Sequence, residues 1–411
     1  MATSFRDVTP VQRKTLLAAA LGWALDAFDV MLYALVLTHI ISDLHLSKAM
    51  AGIPGTLTLL ASGIGGVMFG FIADRIGRIK ALMLSIITYS VCSFASGLAT
   101  SIYMLAAIRF VLGLGMGGEW NTGATLVAET WPADLRAKAL SLVQSSWALG
   151  YAAAALVSGV ILSHFHWRAV FFVGVLPALV TLWIRRSVPE SELWKECHAA
   201  SEQTHAPAAL FSEIFSAPYL RSTLALLFLN FFGMFAWWGL FTWLPPYLSL
   251  PVEQGGRGFG VTDTTTFLVT LNLLGMFPGY ASFGWVADHL GRRRTVILYT
   301  SCAALLVPIY AQARGTWPIL LLGILVAFFG TGFFSGSGII ASEIFPTRVR
   351  ARALGFTYNG ARTLSSISPV VIGYAARERD LGRAFYLCAA GFLLASLTAF
   401  LLPETKGKEL E

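Results

Sequence analysis

Gly70–Lys80 reads GFIADRIGRIK, and 214 residues later Gly284–Arg294 reads GWVADHLGRRR. Landmarks further along hold the same offset. Glu129, Pro132, Arg136, Ala137 and Ala139 in ETWPADLRAKA return as Glu343, Pro346, Arg350, Ala351 and Ala353 in EIFPTRVRARA, and Trp23 maps onto Trp237. Unrelated landmarks that keep one spacing over about a hundred residues mark the two halves as copies of one unit, in parallel orientation if that unit has an even number of spans.

Composition says what the unit is made of. Hydrophobic residues are 56% of the chain and charged residues 12%, with a mean hydropathy of +0.68, against roughly 25% charged in soluble domains. This is the composition of an integral membrane protein. The net charge of +7 and pI near 9.3 do not point to nucleic acid, because the basic residues sit in short loops between apolar runs, as the positive-inside rule requires. Cys92, Cys197, Cys302 and Cys388 are far apart and form no CxxC pair, so neither a disulfide nor a metal site is expected.

The first fifteen residues carry Arg6, Arg13 and Lys14 and lack a small-residue cleavage site before a long apolar run, so no removable signal peptide is expected. Apolar segments long enough to span a bilayer as helices cover about 16–40, 50–73, 81–99, 102–128, 138–163 and 168–185. A polar stretch follows, and six more segments cover about 221–249, 263–287, 295–313, 316–343, 352–376 and 384–402. The expected division is a six-helix bundle over 1–186, a linker over 187–220 and a second bundle over 221–411. With the N-terminus inside, inner segments hold 20 Lys and Arg and outer loops 7, while Arg109 and Arg362 fall within spans. Both copies of the opening stretch, and both chain ends, are therefore expected on the cytoplasmic side.

Gly70, Asp74, Arg75, Gly77 and Arg78 between the second and third spans, repeated between the eighth and ninth, resemble the signature loop of the major facilitator superfamily. Arg109-x3-Gly113-x3-Gly117, Pro189-Glu190-Ser191 and Pro403-Glu404-Thr405-Lys406-Gly407 are similar to signatures of its sugar and organic-acid porters. The resemblance covers nearly the whole chain. It implies an all-α membrane protein of twelve transmembrane helices in two pseudo-symmetric six-helix bundles. It also implies a multi-pass protein of a cell membrane, of the bacterial inner-membrane kind, that works as a monomer.

The loops also have a mechanical reading. Gly77 and Gly291 permit tight turns between spans. Asp74, Arg75, Arg78, Glu129 and Arg136, with Asp288, Arg292, Glu343 and Arg350 in the second copy, form a charged cluster able to lock one bundle to the other as a cytoplasmic gate. Paired acids argue for more than topology, since the positive-inside rule needs only the cations.

Charge within the spans is the most informative signal, because an ionised side chain at mid-bilayer costs at least roughly 2.5–3.5 kcal/mol on insertion scales. Asp26 and Asp29 in the first span, Arg109 and Glu119 in the fourth, and Arg362 in the eleventh are the five such residues. The third, sixth, ninth and twelfth spans have none, and the resemblance implies that these face lipid while the others surround a cavity. Asp26 and Asp29 share a helix face, and two close carboxylates in a dry site resist ionising together. That suits proton carriage. Glu119 needs a partner from another helix, or a proton. Arg109, Gly113, Gly117, Asn121, Thr125 and Glu129 recur every fourth residue, a small-residue stripe that favours close packing; this leaves Arg109 either structural or part of the proton site.

Arg362 is a permanent cation among Tyr358, Asn359, Ser365 and Ser366 on one helix face. It must meet a carboxylate, from the protein or from a substrate. Trp23, Trp120, Trp147, Trp237 and Trp238 are placed to wall a pocket or simply to pack. Trp23-Ala-Leu-Asp26-Ala-Phe-Asp29 and Gly117-Gly-Glu119-Trp120 are similar to proton-coupled organic-anion symporters, nearest to sialate, lactate and other monocarboxylate carriers; nicotinate and aromatic-acid carriers share parts of the pattern. The fifth span has no proline around Ser145–Ser163, unlike the Gly-Pro pattern of drug antiporters.

The expected function is proton-coupled uptake of a small organic anion by alternating access. Arg362, Asn359, Tyr358 and Asn121 would bind substrate; Asp26, Asp29, Glu119 and Arg109 would couple protons. No cofactor beyond the proton and no partner beyond a small carboxylate substrate and the bilayer is implied. The alternatives are a neutral sugar or polyol porter and an aromatic-acid or nicotinate symporter. A non-transporting receptor is disfavoured by the intact gating loops, and no nucleotide loop, metal cluster or nucleophile–base pattern suggests an enzyme.

Overall fold

The computed structural model describes residues 8–190, 211–345, 353, 355–377 and 380–406, apart from the side chains of residues 74, 121, 128, 133, 134, 136, 137, 185, 211, 212 and 342. Arg350 and most of the expected linker lie outside the described residues, as do the side chains of Asp74, Asn121 and Arg136.

Twelve spans account for the described chain. The first half comprises α1 (Pro10–Asp43), α2 (Lys48–Ile76), α3 (Arg78–Ser96), α4 (Ile102–Thr130), α5 (Ala133–Leu162) and α6. The second comprises α7 (Ala217–Ser249), α8 (Val261–Leu290), α9 (Arg292–Gln312), α10 (Thr316–Ile344), α11 and α12 (Leu381–Ala399). Ten are unbroken enough to cross a bilayer by length and hydropathy. The exceptions are α6, which runs as Arg168–Phe172, a 3-10 turn Val173–Val175 and Pro177–Ser187, and α11, which runs as Phe356–Gly360, Ala361–Ser365 and Ser368–Ala375. Pro177 and Pro369 stand at the first turn of the resumed helices, where a missing N–H does little harm. α1 starts at Pro10, ahead of the expected residue 16, because Thr9 and Gln12 form a capping box. α7 starts at Ala217, within the expected linker.

Helices pack closely where side chains are smallest. In the expected stripe on α4, a Cβ at Gly113 would collide with the Thr58 carbonyl and one at Gly117 with the Ser62 carbonyl of α2. Large apolar residues on α3, α6, α9 and α12, among them Val91, Leu179, Leu305 and Leu397, are exposed, which suits helices that face hydrocarbon.

The α2–α3 turn and the α8–α9 turn lie at one end of the bundle, here the near end. Gly77 has φ 99° and Gly291 φ 100°, a region effectively open to glycine alone. At the far end, hydrogen bonds join the halves. Thr38 and Ser249 share one at 3.0 Å, and Lys48 Nζ donates to the Gln254 carbonyl at 2.7 Å and the Ala376 carbonyl at 3.3 Å. Gly52 of α2 lies against the Pro369 backbone of α11.

Candidate functional site

Midway along the bundle, Trp23, Gln144, Trp147, Met234, Trp237, Trp238, Tyr280, Phe334, Tyr358 and Arg362 enclose a chamber between the halves. The 214-residue offset organises it. Trp23 and Trp237, and Gln144 and Tyr358, are equivalent pairs that line it together, and Phe334 is the equivalent of Trp120. The chamber therefore straddles the pseudo-symmetry axis, where each half presents the same helix positions.

The ring walls touch one another. Trp23 lies 4.7 Å from Trp120 and 4.8 Å from Trp147 between centroids, Trp147 meets Trp238 edge-on at 89°, and Trp120 reaches Tyr358 at 6.4 Å. Two helices carry a π-bulge beside the chamber, Leu271–Met276 in α8 before Tyr280 and Phe356–Gly360 in α11 spanning Tyr358. Such an insertion rotates the following turn and is frequent at functional sites.

The five intramembrane charges are all buried: Asp26 1%, Asp29 0%, Arg109 1%, Glu119 1% and Arg362 3% exposed. Arg362 lines the chamber, and among the described residues no carboxylate forms an ion pair with it. Among the described residues, neither oxygen of Asp26 nor of Glu119 has a hydrogen-bond partner. Asp29 accepts from Ser93 Oγ at 3.0 Å through one oxygen and leaves the other bare. Arg109 donates to the Asp29 and Val30 carbonyls at 3.3 and 2.9 Å and lies over the Tyr33 ring at 5.2 Å. It ties α4 to the backbone of α1 and touches no carboxylate directly.

The offset also exposes an asymmetry. Asp26, Asp29, Arg109 and Glu119 correspond to Leu240, Trp243, Gly323 and Phe333, while Arg362 corresponds to Ala148. The acids belong to one half and the cation that lines the chamber to the other.

Other expected site residues fall as follows. Tyr358 lines the chamber with Arg362; Asn359 is buried beside it in sequence but is not among the lining residues. At the near end, Arg78 contacts Glu129 at 3.1 Å, and its equivalent Arg292 contacts Glu343 at 3.2 Å and Asp288 at 2.9 Å. Arg350 and the side chains of Asp74 and Arg136, which complete the expected gate, lie outside the described residues, and the described pairs tie helices within one half. The reason is reach: each arginine opens the helix after its glycine turn, next to the last turn of its own half's fourth or tenth span. Arg75 is exposed at the end of α2.

Sequence reading missed Gln144, Met234, Tyr280 and Phe334. Gln144 alone carried a visible signal, as the one amide in a span otherwise built of apolar and small residues. The others look like ordinary packing until the fold turns them inward.

Residues 19–256 and 256–411 match the family model described as Major Facilitator Superfamily. A probable 4-methylmuconolactone transporter of Cupriavidus pinatubonensis is 35% identical, over 99% of this chain and 94% of that protein. The sialic acid transporter NanX of Escherichia coli is 34% identical, over 98% of each. Among solved structures, the partially occluded inward-open form of the E. coli xylose transporter XylE superposes with a TM-score of 0.77 at 18% identity, over 98% of this chain and all of that one. At that identity the likeness concerns the fold alone.

Proposed function

The chain belongs to the Major Facilitator Superfamily, whose members are transporters and not enzymes, and from that premise we propose that it carries a small organic anion, a monocarboxylate, inward together with protons. The observation that carries this reading is Arg362: a permanent cation buried in the chamber, with no carboxylate of the described residues in an ion pair with it. A buried guanidinium without a counter-ion is costly, and a carboxylate suits its planar fork best. The relatives named for 4-methylmuconolactone and sialic acid agree in substrate class.

Coupling follows from the division of charge. Asp26 and Glu119 lie buried without donors, and a carboxyl group in that setting is cheapest neutral. Protons held on the first half compensate the anion held by the second, so both cross when the halves rock about the chamber. Asp29, anchored by Ser93, and Arg109, bound to the α1 backbone, hold the geometry of this acid group. The near end is read as cytoplasmic from the excess of basic residues there, with both chain ends on that side. Each chain encloses a whole chamber, so a monomer suffices, and the proton is the sole coupling agent.

The test is Arg362→Lys, which keeps the charge and removes the fork. Affinity for a carboxylate should fall by about 1.5–3 kcal/mol, as for loss of a charge-assisted hydrogen bond, or roughly 10- to 150-fold, with expression retained. Normal expression with unchanged carboxylate affinity would take Arg362 out of the site and remove the anion reading with it.

A further inference from the structure

Lys48 crosses the far-end seam with neutral partners alone. Its Nζ donates to the Gln254 carbonyl, in the α7–α8 loop, at 2.7 Å and to the Ala376 carbonyl, at the end of α11, at 3.3 Å. Both acceptors belong to the other half. Asp380 is the acid within electrostatic range of Lys48, but it faces Arg257 at 3.9 Å and accepts from the Gly382 N–H at 2.8 Å. Among the described residues, no carboxylate forms an ion pair with Lys48. The 214-residue offset puts Thr262 at the equivalent place, so the second half has no such cation.

The course of α2 shows where this lysine leads. Lys48, Gly52, Gly55 and Gly63 recur on one helix face. Gly52 and Gly55 lie against Pro369, and Gly63 against Thr363 and the Asn359 carbonyl, all of α11. Thr363 follows Arg362 in the chain. Lys48 and Arg362 therefore stand toward opposite ends of one α2–α11 seam, separated by roughly 22 Å along the α2 axis from Lys48 to Gly63.

We infer that Lys48 is a second carboxylate-binding site, one that exists only while the far end is open. In the closed seam its ammonium is occupied by carbonyls. Parting the halves removes both at once, because neither comes from the lysine's own half, and leaves a full positive charge at the mouth. A carboxylate arriving from the far side takes their place. Since it binds the open state alone, it shifts the population toward that state. The anion so captured has the Arg362 chamber ahead of it. This deepens the anion reading above and rests on it. The competing explanation is that the freed ammonium is merely hydrated and Lys48 is a seam bond and nothing more. A seam bond changes how often the far end opens, but it does not make opening respond to an anion.

Spin labels on the α1–α2 and α7–α8 loops of the full chain in proteoliposomes report the far-end distance. Benzoate is the carboxylate probe and benzamide its neutral counterpart, both at constant ionic strength. Arg362→Gln deletes the chamber cation and isolates the mouth. In that variant benzoate should raise the far-open population roughly threefold, the scale of one exposed ion pair, and benzamide should not. Adding Lys48→Met should abolish the rise, and adding Lys48→Arg should keep it. A rise that survives Lys48→Met, an equal response to benzamide, or no rise at all in Arg362→Gln overturns the proposal. Should Arg362→Gln fail to fold, Lys48→Met and Lys48→Arg are compared with Arg362 intact: the response to benzoate should be smaller in the Met variant, roughly threefold on the same scale, and equal responses overturn the proposal too. Benzoate binding that is lost in Arg362→Gln, with no response at the mouth, would leave the anion reading standing and sink this one alone. If benzoate neither binds wild type nor moves its far end, both fall.

Discussion

Asp26 and Asp29 are one helical turn apart, yet they sit in different company. Asp29 has Ser93 on one oxygen and Arg109 bound to its own carbonyl, whereas both oxygens of Asp26 are bare. The better-anchored residue suits a structural role, and the bare one suits a proton that must come and go. Asp26→Asn is therefore expected to abolish accumulation driven by a pH gradient while leaving exchange without a gradient largely intact. Asp29→Asn should lower expression more than coupling. Uptake and counterflow in proteoliposomes check both; an Asp26→Asn protein that still concentrates substrate would pass the role to Glu119. Residue types alone had put the two aspartates on equal footing, because a helix face can be read from spacing but the neighbour across the gap cannot.

Elements explain motifs that look like sugar-porter signatures. Glu190, in Pro189-Glu190-Ser191, accepts from the backbone N–H groups of Arg78 at 2.9 Å and Ile79 at 3.1 Å. Glu404, in the terminal copy, accepts from Arg292 N at 2.7 Å. The two are 214 residues apart, so each half closes itself in one way: the segment after its last span caps the helix that follows the glycine turn. A carboxylate there satisfies orphan donors and opposes the helix dipole. These motifs are thus accounted for by architecture and say little about sugar. Glu190→Gln and Glu404→Gln should each destabilise the protein by about 1 kcal/mol with substrate specificity unchanged. Thermal melts in detergent decide it, and two unaltered melting temperatures would end the capping role.

Across the whole molecule, hydrogen bonds join the halves at the far end, one between Thr38 and Ser249 and two that Lys48 makes from the first turn of α2. Alternating access requires this seam to part. Lys48→Met keeps the aliphatic stem and deletes the donor, so the population open at the far end should rise, by about fivefold if roughly 1 kcal/mol is lost. Spin-label distances between the α1–α2 and α7–α8 loops report it; an unchanged distance distribution would show that packing such as Gly52 on Pro369 holds the seam without the lysine.

What the chain determines by itself is whatever repeats or costs energy in isolation. The 214-residue offset, the apolar runs, the basic loops and the five intramembrane charges follow from hydropathy, the positive-inside rule and desolvation, which act on a helix before it meets another. Gly77 and Gly291 belong here too, since their turns demand glycine whatever surrounds them. Only the tertiary structure decided which groups meet. It set Arg109 on α1 carbonyls instead of a carboxylate, left Arg362 unpaired, kept Arg78–Glu129 and Arg292–Glu343 within their own halves, and gathered tryptophans from both halves with Gln144 and Tyr280 around one chamber. Those outcomes depend on the rotation of each helix about its axis and on π-bulges in α8 and α11. Close packing of neighbours sets both, and no local spacing encodes it.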